Sequence, residues 1–335
     1  MKEFEHIQSA HCENGVTSSL LHHNGIEGVS EPMAFGIGSG LFYIHIPFMK
    51  VNGGPSISFR TFPGAIFSRT CKALDIPITR KKFNSEDKGM EYLDRQLDQG
   101  KITGCQVGVY NLPYFPKEYR FHFNAHNIII YGKQGNEYLV SDPTMEETTL
   151  ISEEDLRIVR FAKGVLAPKG HLYSPQLVKT ANLDFPKAIK AGIKRNCRDM
   201  LKIPGKPAGV SGIGYTANRV SKWRDQLGVR KASLYLGQII RMQEEIGTGG
   251  GGFRYIYAAF LEEAYKYIKN DQLLELSNDF TKAGDMWRNS AMTMAQTLKG
   301  RATEQSDFDH IAEGMRIIEQ QELMALNKLK SIKFD

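Results

Sequence analysis

Cysteine is scarce in this chain, with four residues in 335: Cys12, Cys71, Cys105 and Cys197. They are far apart and form no C-x-x-C pair, so neither a zinc site nor a disulfide framework is expected. Long apolar runs are missing as well. No stretch reaches about 18 apolar residues, the length a spanning helix needs. The opening residues MKEFEHIQSAH carry no apolar core of a secretory signal. The expectation is a cytoplasmic protein without membrane contact. No arginine-rich run interleaved with aromatics occurs, and the net charge of +6 is modest. No nucleic-acid partner is therefore expected. Internal repeats and low-complexity tracts are absent too.

What is present is ordinary globular sequence, 41% hydrophobic and 24% charged, and its length suits two domains. The first half mixes strand and helix signals, whereas helical periodicity dominates the second. Between them, Lys163 to Pro186 contains Pro168, Gly170, Pro175 and Pro186 and reads as a connection. The expected organisation is an α+β domain over 1–165 and an α-helical domain over 166–335.

Within the first half, Ser9 is placed to cap a helix from Ala10 to His23, which Asn24-Gly25 ends. Helices are expected over Pro63–Leu74 and over Glu86–Gln99, the latter ending at Gly100. Strands are expected over Gln106–Tyr110, Ala125–Tyr131 and Glu137–Ser141, the last two rich in Ile, Val and Tyr. Gly36-Ile37-Gly38-Ser39-Gly40 lacks the dinucleotide spacing and context. It reads as a tight backbone passage near the first helix. Asp307 to Leu329 carries apolar residues at helical spacing and belongs to a bundle.

Cys12 falls in the first turn of the first helix. Unpaired N–H groups and the positive end of the helix dipole favour thiolate there, and the same groups suit an oxyanion. The other reading of Cys12 is a small buried hydrophobe. A three-residue loop Lys133-Gln134-Gly135 would close Gly132 against Asn136. In that register Tyr131 faces Glu137, Ile128 faces Val140 and His126 faces Asp142. Directly opposed residues have Cβ atoms about 4.5–5.5 Å apart, close enough for a carboxylate to orient an imidazole. A cysteine on a helix start, a histidine on a strand and an aspartate on the next strand follow the papain-like order.

The stretches His11-Cys12-Glu13-Asn14, Leu112-Pro113-Tyr114, Ala125-His126-Asn127-Ile128-Ile129-Ile130-Tyr131-Gly132 and Val140-Ser141-Asp142-Pro143 resemble the N-terminal domain of the butirosin-biosynthesis protein H family. The second half resembles the helical domain that commonly follows it. The resemblance implies a papain-like α+β fold with Cys12, His126 and Asp142 as catalytic triad. It also implies cysteine-dependent acyl transfer in secondary metabolism, from a carrier-protein thioester or small acyl thioester to an amine. No resident cofactor or metal is implied, only phosphopantetheine on an acyl carrier protein. A peptidase or amidase with the same triad, and a silent binding module, remain open. Papain-like peptidases place an oxyanion-stabilising Gln about six residues before the Cys. Here that position is His6, and Gln8 is the nearest candidate, beside the Cys12 N–H.

Other residues suit a thioester partner. Gly249, Gly250 and Arg254 stand before a strong helix, where bare N–H groups and a guanidinium suit the phosphate of a phosphopantetheine arm. A flexible hinge or close helix packing is the plainer alternative. Lys187, Lys190, Lys194 and Arg198, flanked by Arg195, form a helical stripe of a kind that docks an acidic carrier or simply faces solvent. His22 and His23 suit a helix C-terminus. Cys71, Cys105 and Cys197 read as packing residues.

Overall fold

The computed structural model describes residues 3–51, 53–176 and 183–334. In chain order its helices are α1 (Cys12–His23), α2 (Glu31–Ile37), α3 (Ala65–Ala73), α4 (Glu86–Asp98), α5 (Glu153–Arg160), α6 (Phe185–Lys202), α7 (Ser211–Leu227), α8 (Val229–Ile240), α9 (Arg254–Ile268), α10 (Gln272–Leu298) and α11 (Gln305–Ser331). The strands are β1 (Leu41–Val51), β2 (Gly54–Arg60), β3 (Ile78–Lys81), β4 (Thr103–Val107), β5 (His126–Gln134), β6 (Glu137–Ser141), β7 (Thr149–Ser152) and β8 (Leu172–Pro175). The fold class matches the expectation, an α+β unit and a helical one.

The chain divides into two compact units, Met1–Ala34 with Pro63–Asp184, and Phe35–Phe62 with Phe185–Asp335. A single boundary at 165/166 does not describe this division. The hairpin β1–β2 leaves the first unit because its apolar face belongs elsewhere: Tyr43 and Phe59 pack on Trp287, with ring centroids 5.9 and 5.0 Å away. Conversely, β8 lies beyond 165 but is a strand of the first unit's sheet. Of the expected connection, residues 177–182 lie outside the described residues.

The first unit is built on a six-stranded sheet in the order β3-β8-β4-β5-β6-β7, antiparallel throughout. Cys105, Val107, Ile128, Ile130 and Val140 share one core with Leu93 of α4 and with Leu156 and Val159 of α5. Their alternation along the strands is what commits that face to burial. Ser85 and Ser152 cap α4 and α5 through their side-chain oxygens, as short hydroxyl side chains do at a helix start. The strand β4 begins at Thr103 and stops before Gly108, where a Cβ would meet the Ala162 Cβ at 2.7 Å.

The β5–β6 turn differs from the expected one. Gln134 pairs with Glu137, so only Gly135 and Asn136 form the loop. Gly135 has φ +59°, and glycine tolerates that region at the first central position of a two-residue hairpin. A bulge between Ile130 and Gly132 then sets Ile130 against Val140 and Ile129 against Ser141.

The second unit is the helical one, with Ile193, Ile213, Val220, Phe280, Trp287, Met315 and Leu326 among its buried residues. α11 covers the expected Asp307–Leu329 and is opened by a capping box of Glu304 and Asp307. Gly36 lies against the Phe260 ring, and a Cβ on Gly192 would stand 2.6 Å from the Gly36 carbonyl. The Gly36–Gly40 passage is tight, as expected, and within its unit it packs on α6 and α9. No described helix is long and apolar enough to cross a membrane.

Candidate active site

α1 starts at Cys12 because His11, not Ser9, is its cap. The His11 backbone is extended, with φ −126° and ψ 129°, and its Nδ1 accepts from the Asn14 N–H at 3.4 Å. Cys12 is thus the first helical residue, where the dipole end favours a thiolate. Glu31 takes the N–H groups of Ala10 and His11 at 2.9 and 2.8 Å. Burial raises its pKa, against the lowering effect of those two bonds. Ser9 instead donates its backbone N–H to the Pro143 carbonyl at 2.7 Å. Beside it, a Cβ on Gly15 would stand 2.6 Å from the Pro143 Cβ. Real Cβ atoms do not approach so closely, so the absence of a side chain at Gly15 is what lets α1 lie against the turn after β6.

That turn carries Asp142. In the observed register Asp142 would stand opposite Ile128 and diagonal to His126, not directly across from it. Diagonal neighbours are about 7–8 Å apart at the backbone, within reach of long side chains. The contact forms: His126 Nε2 lies 2.6 Å from Asp142 Oδ2. The same oxygen accepts from the Tyr114 hydroxyl at 3.1 Å, and Oδ1 accepts from the Thr144 N–H and hydroxyl at 3.0 and 2.7 Å. Asp142 is fully buried, and both of its oxygens are occupied. The Phe115 ring stands edge-on to the imidazole, centroids 5.4 Å apart.

Burial of His126 opposes its protonation. The Asp142 charge, the Cys12 charge and hydrogen bonds to both outweigh it and push the pKa up to about 10. Burial would raise the Asp142 pKa, but the His126 charge and the His126 and Thr144 hydrogen bonds hold it below the ordinary carboxylate range. The pair is an imidazolium beside a carboxylate. With Nε2 committed to Asp142, Nδ1 is the ring nitrogen left to face the Cys12 sulfur. The three expected triad residues are therefore brought together.

The remaining cysteines differ from Cys12. Burial pushes the thiols of Cys71 and Cys197 up to about 12 and raises that of Cys105. They are packing residues, and no anionic partner of an imidazole is made from them. His6 is committed to Ser141 Oγ at 2.8 Å and to the Met145 carbonyl at 3.1 Å. It ties the segment before α1 to the end of β6. Gln8 is exposed in that segment. The amide brought to the Cys12 sulfur is instead Asn127's, with Nδ2 at 3.8 Å.

Comparison with known proteins places both halves. Residues 154–329, just over half of the chain, match the model of a domain of unknown function, DUF4872. The chain belongs to the DUF4872 family. Residues 11–143 match the N-terminal domain of butirosin biosynthesis protein H, so the resemblance drawn from the sequence holds on both sides. Among curated proteins nothing matches. Among solved structures, a protein described as a C39-like peptidase from Bacillus anthracis is 16% identical, covering 53% of this chain and 95% of that chain with a TM-score of 0.36.

Inside the DUF4872 region the expected phosphate site is not available. Arg254 is fully buried, and its Nε and Nη2 each donate to a Glu322 carboxylate oxygen at 2.8 Å, while Nη1 donates to the Gly252 carbonyl. A guanidinium neutralised by a buried carboxylate has no charge left to offer. The glycine loop is likewise self-satisfied: the Gly251 N–H donates to Glu244, and that of Gly250 to the Thr248 hydroxyl. Gly249 is exposed, but a Cβ on Gly250 would collide with the Arg288 guanidinium. The loop serves close packing. On α6 of the same family region, Asp199 neutralises Arg198 at 2.7 Å and lies 3.6 Å from Arg195. Lys187 and Lys194 remain exposed. No group of three or more His, Cys, Asp or Glu among the described residues is arranged to hold a metal.

Proposed function

We propose that the first unit is a cysteine-dependent acyltransferase that carries an acyl group on Cys12 from a thioester to an amine. The observation that carries this reading is the buried line from Cys12 through His126 to Asp142, with the imidazolium held beside the sulfur. In this mechanism the Cys12 thiolate attacks the thioester carbonyl. The oxyanion forms at the positive end of α1. As the C–S bond to the donor breaks, the departing thiolate takes the His126 proton. The ring, now neutral, removes a proton from the amine as it attacks the acyl-enzyme. Breakdown of that second tetrahedral intermediate expels the Cys12 thiolate and restores the starting ion pair.

Two observations favour an amine over water as acceptor. Cys12 and His126 are each only 6% exposed and Asp142 is fully buried, and a dry site suppresses hydrolysis. The matching N-terminal domain is named for a protein of butirosin biosynthesis, a setting that calls for transfer rather than cleavage. The donor is an acyl carrier protein or a small acyl thioester. The lysines of α6 are the docking stripe for an acidic carrier.

The test uses a short acyl thioester with the full chain and follows intact mass. An acyl adduct is expected on the wild type and none on Cys12→Ala. It should be released faster by added amine than by water. Release by water at a rate indifferent to amine makes the protein a hydrolase, and a folded protein that forms no adduct ends the enzyme reading.

A further inference from the structure

Asn127 follows His126 on β5 and is 3% exposed. Its Nδ2 lies 3.0 Å from the Ala125 carbonyl oxygen and 3.8 Å from Cys12 Sγ, and its Oδ1 lies 2.8 Å from the Tyr173 hydroxyl. A carbonyl oxygen only accepts, so the amide atom facing Ala125 must be the NH2 group. One of its N–H bonds goes to Ala125, and the other points to the sulfur. Oδ1 then accepts from Tyr173, which must keep its proton to donate. Burial first, then the charges of Glu13, Cys12 and Cys105, raise the Tyr173 pKa well above the ordinary phenol range, so the donor is permanent.

We propose that Asn127 donates a fixed hydrogen bond to the Cys12 thiolate and that Tyr173 is the positioning residue that prevents its amide from turning over. This rests on Cys12 being the nucleophile. A thiol is a weak acceptor and a thiolate a strong one, so a donor held on the sulfur favours the charged form. The groups facing the sulfur that titrate are His126 on β5 and Tyr173 on β8, with His11 and Glu13 beside it along the chain and Asp142 behind His126. Of these, His126 offers the sulfur a positive charge. Asn127 adds an uncharged donor whose effect does not vanish when the ring loses its proton.

The experiment is the rate of iodoacetamide alkylation at Cys12, read by intact mass across pH, for wild type, Asn127→Ala, Asn127→Asp and Tyr173→Phe. The wild-type thiol should titrate below the free value of about 8.5. Asn127→Ala should raise the midpoint by about one unit, a roughly tenfold loss of rate at pH values below both midpoints. Its plateau at high pH should be equal or higher, because a less stabilised thiolate is more nucleophilic. Asn127→Asp should shift further, since a carboxylate replaces a donor with a like charge. Tyr173→Phe should shift by less than Asn127→Ala, because the amide survives but is no longer held. A merely structural role would change folding, checked by thermal melts, without moving the midpoint. If Asn127→Ala and Asn127→Asp fold and titrate like wild type, the inference is overturned. A wild-type thiol no more acidic than a free one would instead overturn the nucleophile reading, and this inference with it.

Discussion

Burial alone would leave the His126 ring neutral at neutral pH, because a low-dielectric site disfavours charge. Asp142 at 2.6 Å and the Cys12 sulfur reverse that, and the ring holds its proton up to about 10 instead of its ordinary 6.5. Since the folded value is the higher one, the ion pair's contribution to stability is complete below pH 6.5 and is lost as pH rises through about 10. Activity should fall on the same limb, as the proton needed by the leaving thiolate disappears. Asp142→Asn removes the charge, so the falling limb of kcat/KM should move from about 10 toward 6.5. A limb that stays in place would show that Asp142 does not hold the proton on His126. His126→Ala should cost about 10²–10⁴-fold in acyl transfer, the usual scale of general acid–base catalysis. Among single residues, the cluster of Cys12, His126 and Asp142 was legible in the sequence because a cysteine at a helix start and a histidine and an acid on adjacent strands each have a recognisable local setting. Asn127 was not: its meaning comes from Tyr173, 46 residues away. Arg254 misled for the opposite reason, since the carboxylate that neutralises it lies 68 residues further on.

At the scale of elements, the site is a junction between the start of α1 and the turn after β6. Gly15 governs it. A side chain there would meet Pro143 and Ser9 at 2.6–2.7 Å and push α1 away from Asp142. Gly15→Val should therefore lower stability by about 1–3 kcal/mol, as overpacking does. It should also lower acyl transfer by about 10²-fold, the cost of a misplacement near 1 Å. An active and equally stable variant would show that the close approach is not needed. The sequence placed these elements well but misjudged two local details. The His11 cap was missed because imidazole is not a usual N-cap side chain. The β5–β6 register was misjudged because Gly135 can either end a three-residue loop or open a two-residue one, and the bulge near Tyr131 leaves no mark in the chain. The His126–Asp142 pair was found despite the register, because a diagonal pair can also touch. Just before β8, His171 Nδ1 faces Gln106 Oε1 at 3.0 Å and its Nε2 accepts from Arg80 at 3.4 Å. Burial, with the charges of Arg80 and Lys82, lowers its pKa to about 3. The folded value is below the unfolded one, so stability is intact above pH 6.5 and declines as pH falls toward 3. His171→Asn should flatten that decline, read as the difference between urea midpoints at neutral and acid pH. An unchanged difference would acquit His171.

At the scale of the whole molecule, neither unit is a continuous stretch of sequence. The chain leaves the first unit at Phe35, builds the β1–β2 hairpin for the second, and returns at Pro63. Composition and linker signals cannot show this, because a two-stranded excursion of under 30 residues alters neither. What holds the second unit's centre is legible only in the fold. Glu322 accepts from Arg254 twice and from the Trp287 indole at 2.7 Å, all three side chains being fully buried. Arg254 also lies 5.6 Å from the ring centroids of Phe59 and Trp287, which ties the excursion to α9 and α10. Removing one member of a buried pair leaves a charge with no partner, a loss of about 3–5 kcal/mol, whereas removing both charges together costs much less. Glu322→Ala should show the larger loss in urea unfolding followed by tryptophan fluorescence. Arg254→Met with Glu322→Gln removes both charges and keeps an amide oxygen for Trp287, so it should recover most of that stability. If the double variant is as unstable as Glu322→Ala, the unpaired charge is not the cause, and the indole bond and side-chain packing must account for the loss.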